Sequence, residues 1–210
     1  MANKDAAFGF KPVRTLGGTP YNASMAKPYY VPSTYATALF LGDLVSLAGT
    51  ATANAAAVSD SMNGGEIGTF QTIIRGAQSG GTALEAVGVI VGFEPLRTDL
   101  TKQYNAASTE RVVYVCDAPD MIYHVQEDGD GGAIGAAGAG LNAEIIVGTG
   151  NTVTGRSTME LDSSSAATTA TLPIRLLSGA AIPDNDVSLA NAVWEVMINT
   201  HVLRQTTGAN

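Results

Sequence analysis

The chain is poor in the residues that usually announce chemistry. Its 210 residues include one cysteine, two histidines and one tryptophan. A single cysteine, Cys116, permits no internal disulfide and no multi-cysteine zinc site. The histidines, His124 and His201, are too far apart in sequence to form a metal-binding motif. Charged residues make up 14%, against about 25% in a typical domain. The 11 basic residues are scattered, and the net charge is −8. That balance argues against nucleic acid as a partner, because phosphate binding needs clustered cations. No apolar run approaches the roughly 18 residues of a membrane helix. The start, MANKDAAFGF, lacks a basic-then-apolar signal pattern. The expectation is a soluble protein made in a cytoplasm, without a membrane partner. Asn22-Ala23-Ser24 matches a glycosylation sequon, which has no meaning without secretion.

What is abundant is small and neutral. There are 24 glycines, with many alanines, threonines and serines, while aromatics contribute 6%. Such a composition supports a modest core and long polar loops. Low charge has two readings. One is a stable domain with neutral loops; the other is surface covered by partner chains, since interface cores are depleted in charge.

The clearest local signal is residues 111–126, RVVYVCDAPDMIYHVQ. Two β-branched and aromatic runs flank Asp117-Ala118-Pro119-Asp120. Asp bonds nearby amides and Pro presets a turn, so the segment predicts a β-hairpin or a tight β-arch. Further strands are expected at 69–75, 86–93, 144–148, 158–161 and 172–177. Residues 38–47, ALFLGDLVSL, read as a strand pair turning or kinking at Gly42-Asp43. The two glycines in 86–93 suggest a bulge or the close approach of another backbone. Residues 192–203 alternate with period two and predict a half-buried closing strand. Residues 48–62, 76–81, 94–108 and 163–171 read as loops, and 129–140 is the most glycine-dense stretch. The count is about eight to ten short strands with no helix longer than two turns. The expected fold is therefore all-β: a compact antiparallel barrel or sandwich.

Residues 1–33 carry Pro12, Pro20, Pro28 and Pro32 with sparse aromatics. Proline blocks helix and removes donors. The segment reads as an ordered, extended N-terminal arm, lying on its own domain or on a neighbour. It is followed by a single β domain at 34–210.

Catalytic readings are weak. Neither histidine lies near a nucleophile signature such as GxSxG. His124 reads as a satisfied core or surface imidazole. His201 reads as solvated or interfacial, on the polar side of the last strand. Cys116 lies in an apolar run and reads as a buried, inert thiol. An EF-hand loop begun at Asp128 would place Ala133 sixth and Ala139 twelfth, losing the required Gly and Glu. EDGDGG is therefore read as a flexible turn. The glycines lack the spacing of a phosphate cradle. No catalytic residue, metal ligand or cofactor is assigned.

The segments MANKDAAFGFKPVRTLGG, PYYVPSTYATALFLGDLVSL, AVGVIVGFEP, ASTERVVYVCDAPDMIYHVQED, GLNAEIIVGTGNTVTGRSTMELD, ATLPIRLL and NAVWEVMINTH follow one another along the chain. In that order they resemble a family of tailed-bacteriophage virion structural, or head decoration, proteins. The resemblance spans nearly the whole chain and rests on collinearity rather than on a catalytic signature. It implies an all-β fold and a role on the capsid exterior as a cement protein. The implied partners are the major capsid protein and further copies of the chain, with a trimer favoured over a dimer. The family's contacts are surfaces, so no residue carries over as a known site. On the chain's own pattern, the arm is the candidate capsid contact, through Phe8, Phe10, Pro12, Arg14, Tyr21, Tyr29 and Tyr30. The alternative is a carbohydrate- or receptor-binding β module of a tail or fibre. It would need aromatic platforms gathered on one face, and Trp194 stands alone.

Overall fold

Short β-branched runs separated by Gly, Pro and Asp turns fold into a barrel and a sheet that share a core. The computed structural model describes residues 2–53, 69–76 and 84–204. Within them lie β1 (Lys11–Thr15), β2 (Ala26–Val31), β3 (Leu44–Ala53), β4 (Thr69–Arg75), β5 (Gly88–Phe93), β6 (Arg111–Cys116), β7 (Met121–Gln126), β8 (Asn142–Ala143), β9 (Ile145–Ile146), β10 (Glu160–Leu161), β11 (Ile174–Gly179) and β12 (Val193–Ile198). Helix among the described residues is limited to three-residue 3₁₀ turns, such as Val202–Arg204. The all-β reading holds. Nine strands have five residues or more, and three have only two.

Strands β2-β4-β3-β5-β6 close into a five-stranded barrel. Four of its junctions are antiparallel, but β2 meets β4 in parallel, with Tyr30 opposite Thr72. The purely antiparallel expectation is corrected at this junction. The second sheet runs β1-β7-β12-β11-β8, and β9 and β10 form a separate pair. Alternation along each strand then divides the core. Tyr29, Val31, Val45, Ile73, Ile90, Val113 and Val115 form one buried apolar cluster within the barrel strands. A larger cluster joins Leu44, Val89 and Cys116 of the barrel to Phe10, Tyr123, Val125, Leu176, Trp194, Val196 and Ile198. The barrel and the second sheet are therefore not separate bodies.

The 111–126 segment resolves as an arch. β6 pairs with β2 and β5, whereas β7 pairs with β1 and β12. The Asp117–Asp120 connector thus carries the chain from barrel to sheet. Asp117 does not face solvent as a turn residue would. It is buried, accepting from the Tyr29 hydroxyl and the Lys27 ammonium, each at 2.9 Å.

The strand glycines act as expected of close approach and bulging. A Cβ on Gly88 would run into the Cys116 carbonyl oxygen. The β5–β6 register shifts between Ile90 and Gly92. At 38–47, however, no hairpin forms. Gly42, at φ 91°, kinks the chain, Leu39 bridges Asn105 and Leu41 bridges Arg156, while β3 starts beyond the kink. Residues 48–53 belong to β3 rather than to a loop; 54–62 and 77–81 lie outside the described residues.

The arm is also corrected. β1 pairs with β7 over its length, and β2 pairs residue for residue with β6, from Ala26 opposite Cys116 to Val31 opposite Arg111. β2 is a wall of the barrel, so residue 33 does not separate an arm from a closed domain. The last strand stops at Ile198, because the Asn199 amide turns to bond the Pro173 carbonyl (2.7 Å).

Candidate interaction surface

The residues expected to contact a partner divide once the chain is folded. Phe10, Tyr29 and Tyr30 are 2, 6 and 8% exposed and belong to the core. Phe10 meets Tyr123 edge to face, with ring centroids 6.3 Å apart. The Tyr29 hydroxyl bonds Asp117 and the Tyr30 hydroxyl bonds Glu110. Burial and these carboxylates push both phenols above their ordinary range. Arg14 is occupied by Glu195 at 2.7 Å. The three aromatic side chains are committed to the core, so their assignment as partner contacts is corrected; Arg14 stays partly exposed beside Glu195.

Phe8, Pro12 and Tyr21 stay half-buried, and the fold does bring them together. They line a groove of about 240 Å³ with Leu41, Val91 and the exposed Lys11 and Arg156. Five parts of the sequence meet there, Tyr21 and Val91 of β5 among them. β1 supplies Lys11 and Pro12, the Gly42 kink supplies Leu41, and the return of 155–157 beside Leu41 supplies Arg156. Gly9 makes the junction possible, since at φ 73° any Cβ would collide with Ser157. Neither Lys11 nor Arg156 has an ion-pair partner among the described residues. Sequence reading missed Arg156 and Leu41. Nothing local marks them, because their place depends on a bridge across more than a hundred residues.

Large apolar side chains also stand out at loop tips. Val153 is 88% exposed, Leu100 68% and Leu16 60%. Val153 is not on a slack loop. The Asn151 side chain accepts from the amides of Val153 (2.9 Å) and Thr154 (3.0 Å), and Asn151 bridges Arg156.

The groups that invited chemistry take structural places. Cys116 is buried, and burial raises its thiol, the reverse of what a nucleophile needs. His124 Nε2 lies 3.5 Å from Glu195, without hydrogen-bond geometry. Ser178 donates to that same Glu195 (3.5 Å) rather than to His124, so no nucleophile–base pair forms there. His201, expected to be solvated or interfacial, is neither at the surface nor solvated. It is 1% exposed, its Nδ1 accepts from the Leu203 amide (3.1 Å), and burial lowers its pKa to about 4. In EDGDGG, Glu127 turns inward to accept from Trp194 Nε1 at 3.0 Å, and Asp128 caps Ser163 at 2.7 Å. That stretch is a bonded junction rather than a flexible turn. No group of three or more potential metal ligands gathers among the described residues.

No family model, curated protein or solved structure matches this chain.

Proposed function

We propose that this protein is a structural virion component that decorates and cements the head of a tailed bacteriophage. It binds the outer face of the shell formed by the major capsid protein. There it holds capsomer joints against the pressure of packaged DNA. The full-length collinear resemblance supports the reading. The observation that carries it on the structural side is Val153, held 88% exposed on a loop that the Asn151 side chain fixes. An apolar side chain held out in this way is suited to packing against another protein.

The physics suits the role. A ligand that binds only the assembled shell stabilises it by mass action. Many modest contacts in a closed symmetric arrangement, a trimer at local three-fold positions, add through avidity. The carbohydrate-binding alternative gains no support from Trp194, which is 0% exposed and offers no stacking platform.

A reconstruction of the particle tests the proposal. Density for this protein protruding at capsomer junctions is the expected result. Density confined to the tail, or no association with purified heads, overturns it.

A further inference from the structure

We infer that the groove between β1 and the Gly42 kink receives the 182–189 loop of a second copy, joining copies head to tail. The groove is apolar, yet it carries two exposed cations, Lys11 and Arg156, with no ion-pair partner among the described residues. The chain itself holds a segment of matching chemistry. In IPDNDVSL, Ile182 and Leu189 are 40 and 38% exposed, and Asp184 and Asp186 lie between them at the surface. No residue of that loop lines the groove of its own chain, so the match is available only between copies.

The loop is also set before binding. Asn185 donates to the carbonyls of Ala180 and Val193 (2.9 Å each) and accepts from the Val193 amide (2.8 Å). From the other side, Asn3 donates to the carbonyls of Asp186 (2.9 Å), Leu189 (3.1 Å) and Ala190 (3.0 Å). A loop already ordered loses little entropy when it docks. The Asp184 carboxylate has no hydrogen-bond partner among the described residues, and its φ of 61° fixes the turn that presents it. Groove and loop are different surfaces, so their contact is heterologous and generates a ring when its rotation closes.

The inference rests on the self-associating part of the proposed function and names the surfaces used. It is tested on the full-length protein by light scattering and sedimentation. The wild type is expected to be oligomeric in about 0.1 M salt and to dissociate toward about 1 M, as a charged contact does. K11E with R156E alters only exposed side chains. It should weaken association at least about tenfold. I182S with D184N, on the complementary surface, should do the same, and circular dichroism checks that each variant stays folded. Adding D184K to the groove pair should restore association. A monomeric wild type overturns the inference, as does association unchanged by either variant. Head occupancy is measured separately. A monomer that still decorates heads removes this inference and keeps the proposed function; an oligomer that ignores heads does the reverse.

Discussion

Two acidic side chains show what burial does in this molecule. Glu127 is fully buried and accepts from Trp194 Nε1 (3.0 Å), the Ile134 amide (3.2 Å) and the Ala192 amide (3.4 Å). It replaces a cationic partner with three neutral donors, and burial still raises its pKa. Truncation would leave all three donors unsatisfied. Glu127→Ala is expected to cost about 3 kcal/mol or more, read as a lower denaturant midpoint, and Glu127→Gln distinctly less. Glu160 behaves differently. Burial comes first, then repulsion from Asp5, Asp128 and Asp130, and together they push it up to about 7. The folded state therefore binds a proton that the unfolded state has released. Stability from this group is complete below about 4.5 and is lost as pH rises through about 7. Glu160→Gln should melt higher than wild type at pH 8 and alike at pH 4.5; equal melting at both would contradict the assignment. His201 has the opposite sign. Its folded pKa of about 4 lies below the ordinary 6.5 of a histidine, so stability present above 6.5 is lost as pH falls toward 4. Neither position was legible in sequence. Glu127 stood in an acidic, glycine-rich stretch, and only its pairing beside Ala192 and Leu161 turns it inward.

At the scale of elements, strands were legible where composition was decisive. Residues 69–75, 111–116 and 121–126 are β4, β6 and β7 as their β-branched runs require. Pairing partners were not, because register depends on contacts across the chain. The 111–126 segment was compatible with a hairpin or an arch, and the hydrogen bonds of its flanking strands decide for the arch. Proline misled in the arm. Both Pro12 and Pro28 sit inside strands: Pro12 lies on the edge strand β1 beside its register shift, and Pro28 lies in β2 two residues before the one bridge to β4, at Tyr30. Two outcomes follow. Gly88→Ala forces β5 away from the Cys116 carbonyl and should destabilise by roughly 2 kcal/mol, visible as a lower thermal midpoint. Deleting residues 2–33 removes β1 and a barrel wall. The truncated chain should lose its cooperative melt rather than retain a folded domain.

For the whole molecule, the all-β class could be read from the sequence, while the division into barrel and sheet could not. Alternation says that a strand has two faces, but not which neighbour each face meets. The larger core draws on barrel and sheet alike, so the two should unfold together. Trp194 is the one tryptophan and is buried in that shared core, so its fluorescence reports on it. Its denaturation curve should superimpose on that from circular dichroism, and separated transitions would show independent units. The barrel also has a consequence for how the protein is made. Its strands occupy an unbroken stretch from Ala26 to Cys116, whereas the sheet needs β1 from the start of the chain and β12 from near its end. During translation the barrel can close as soon as Cys116 leaves the ribosome. β1 must then wait, unpaired and sticky-edged, until β7 follows it across the arch, and the growing chain keeps an open seam until the last strand arrives.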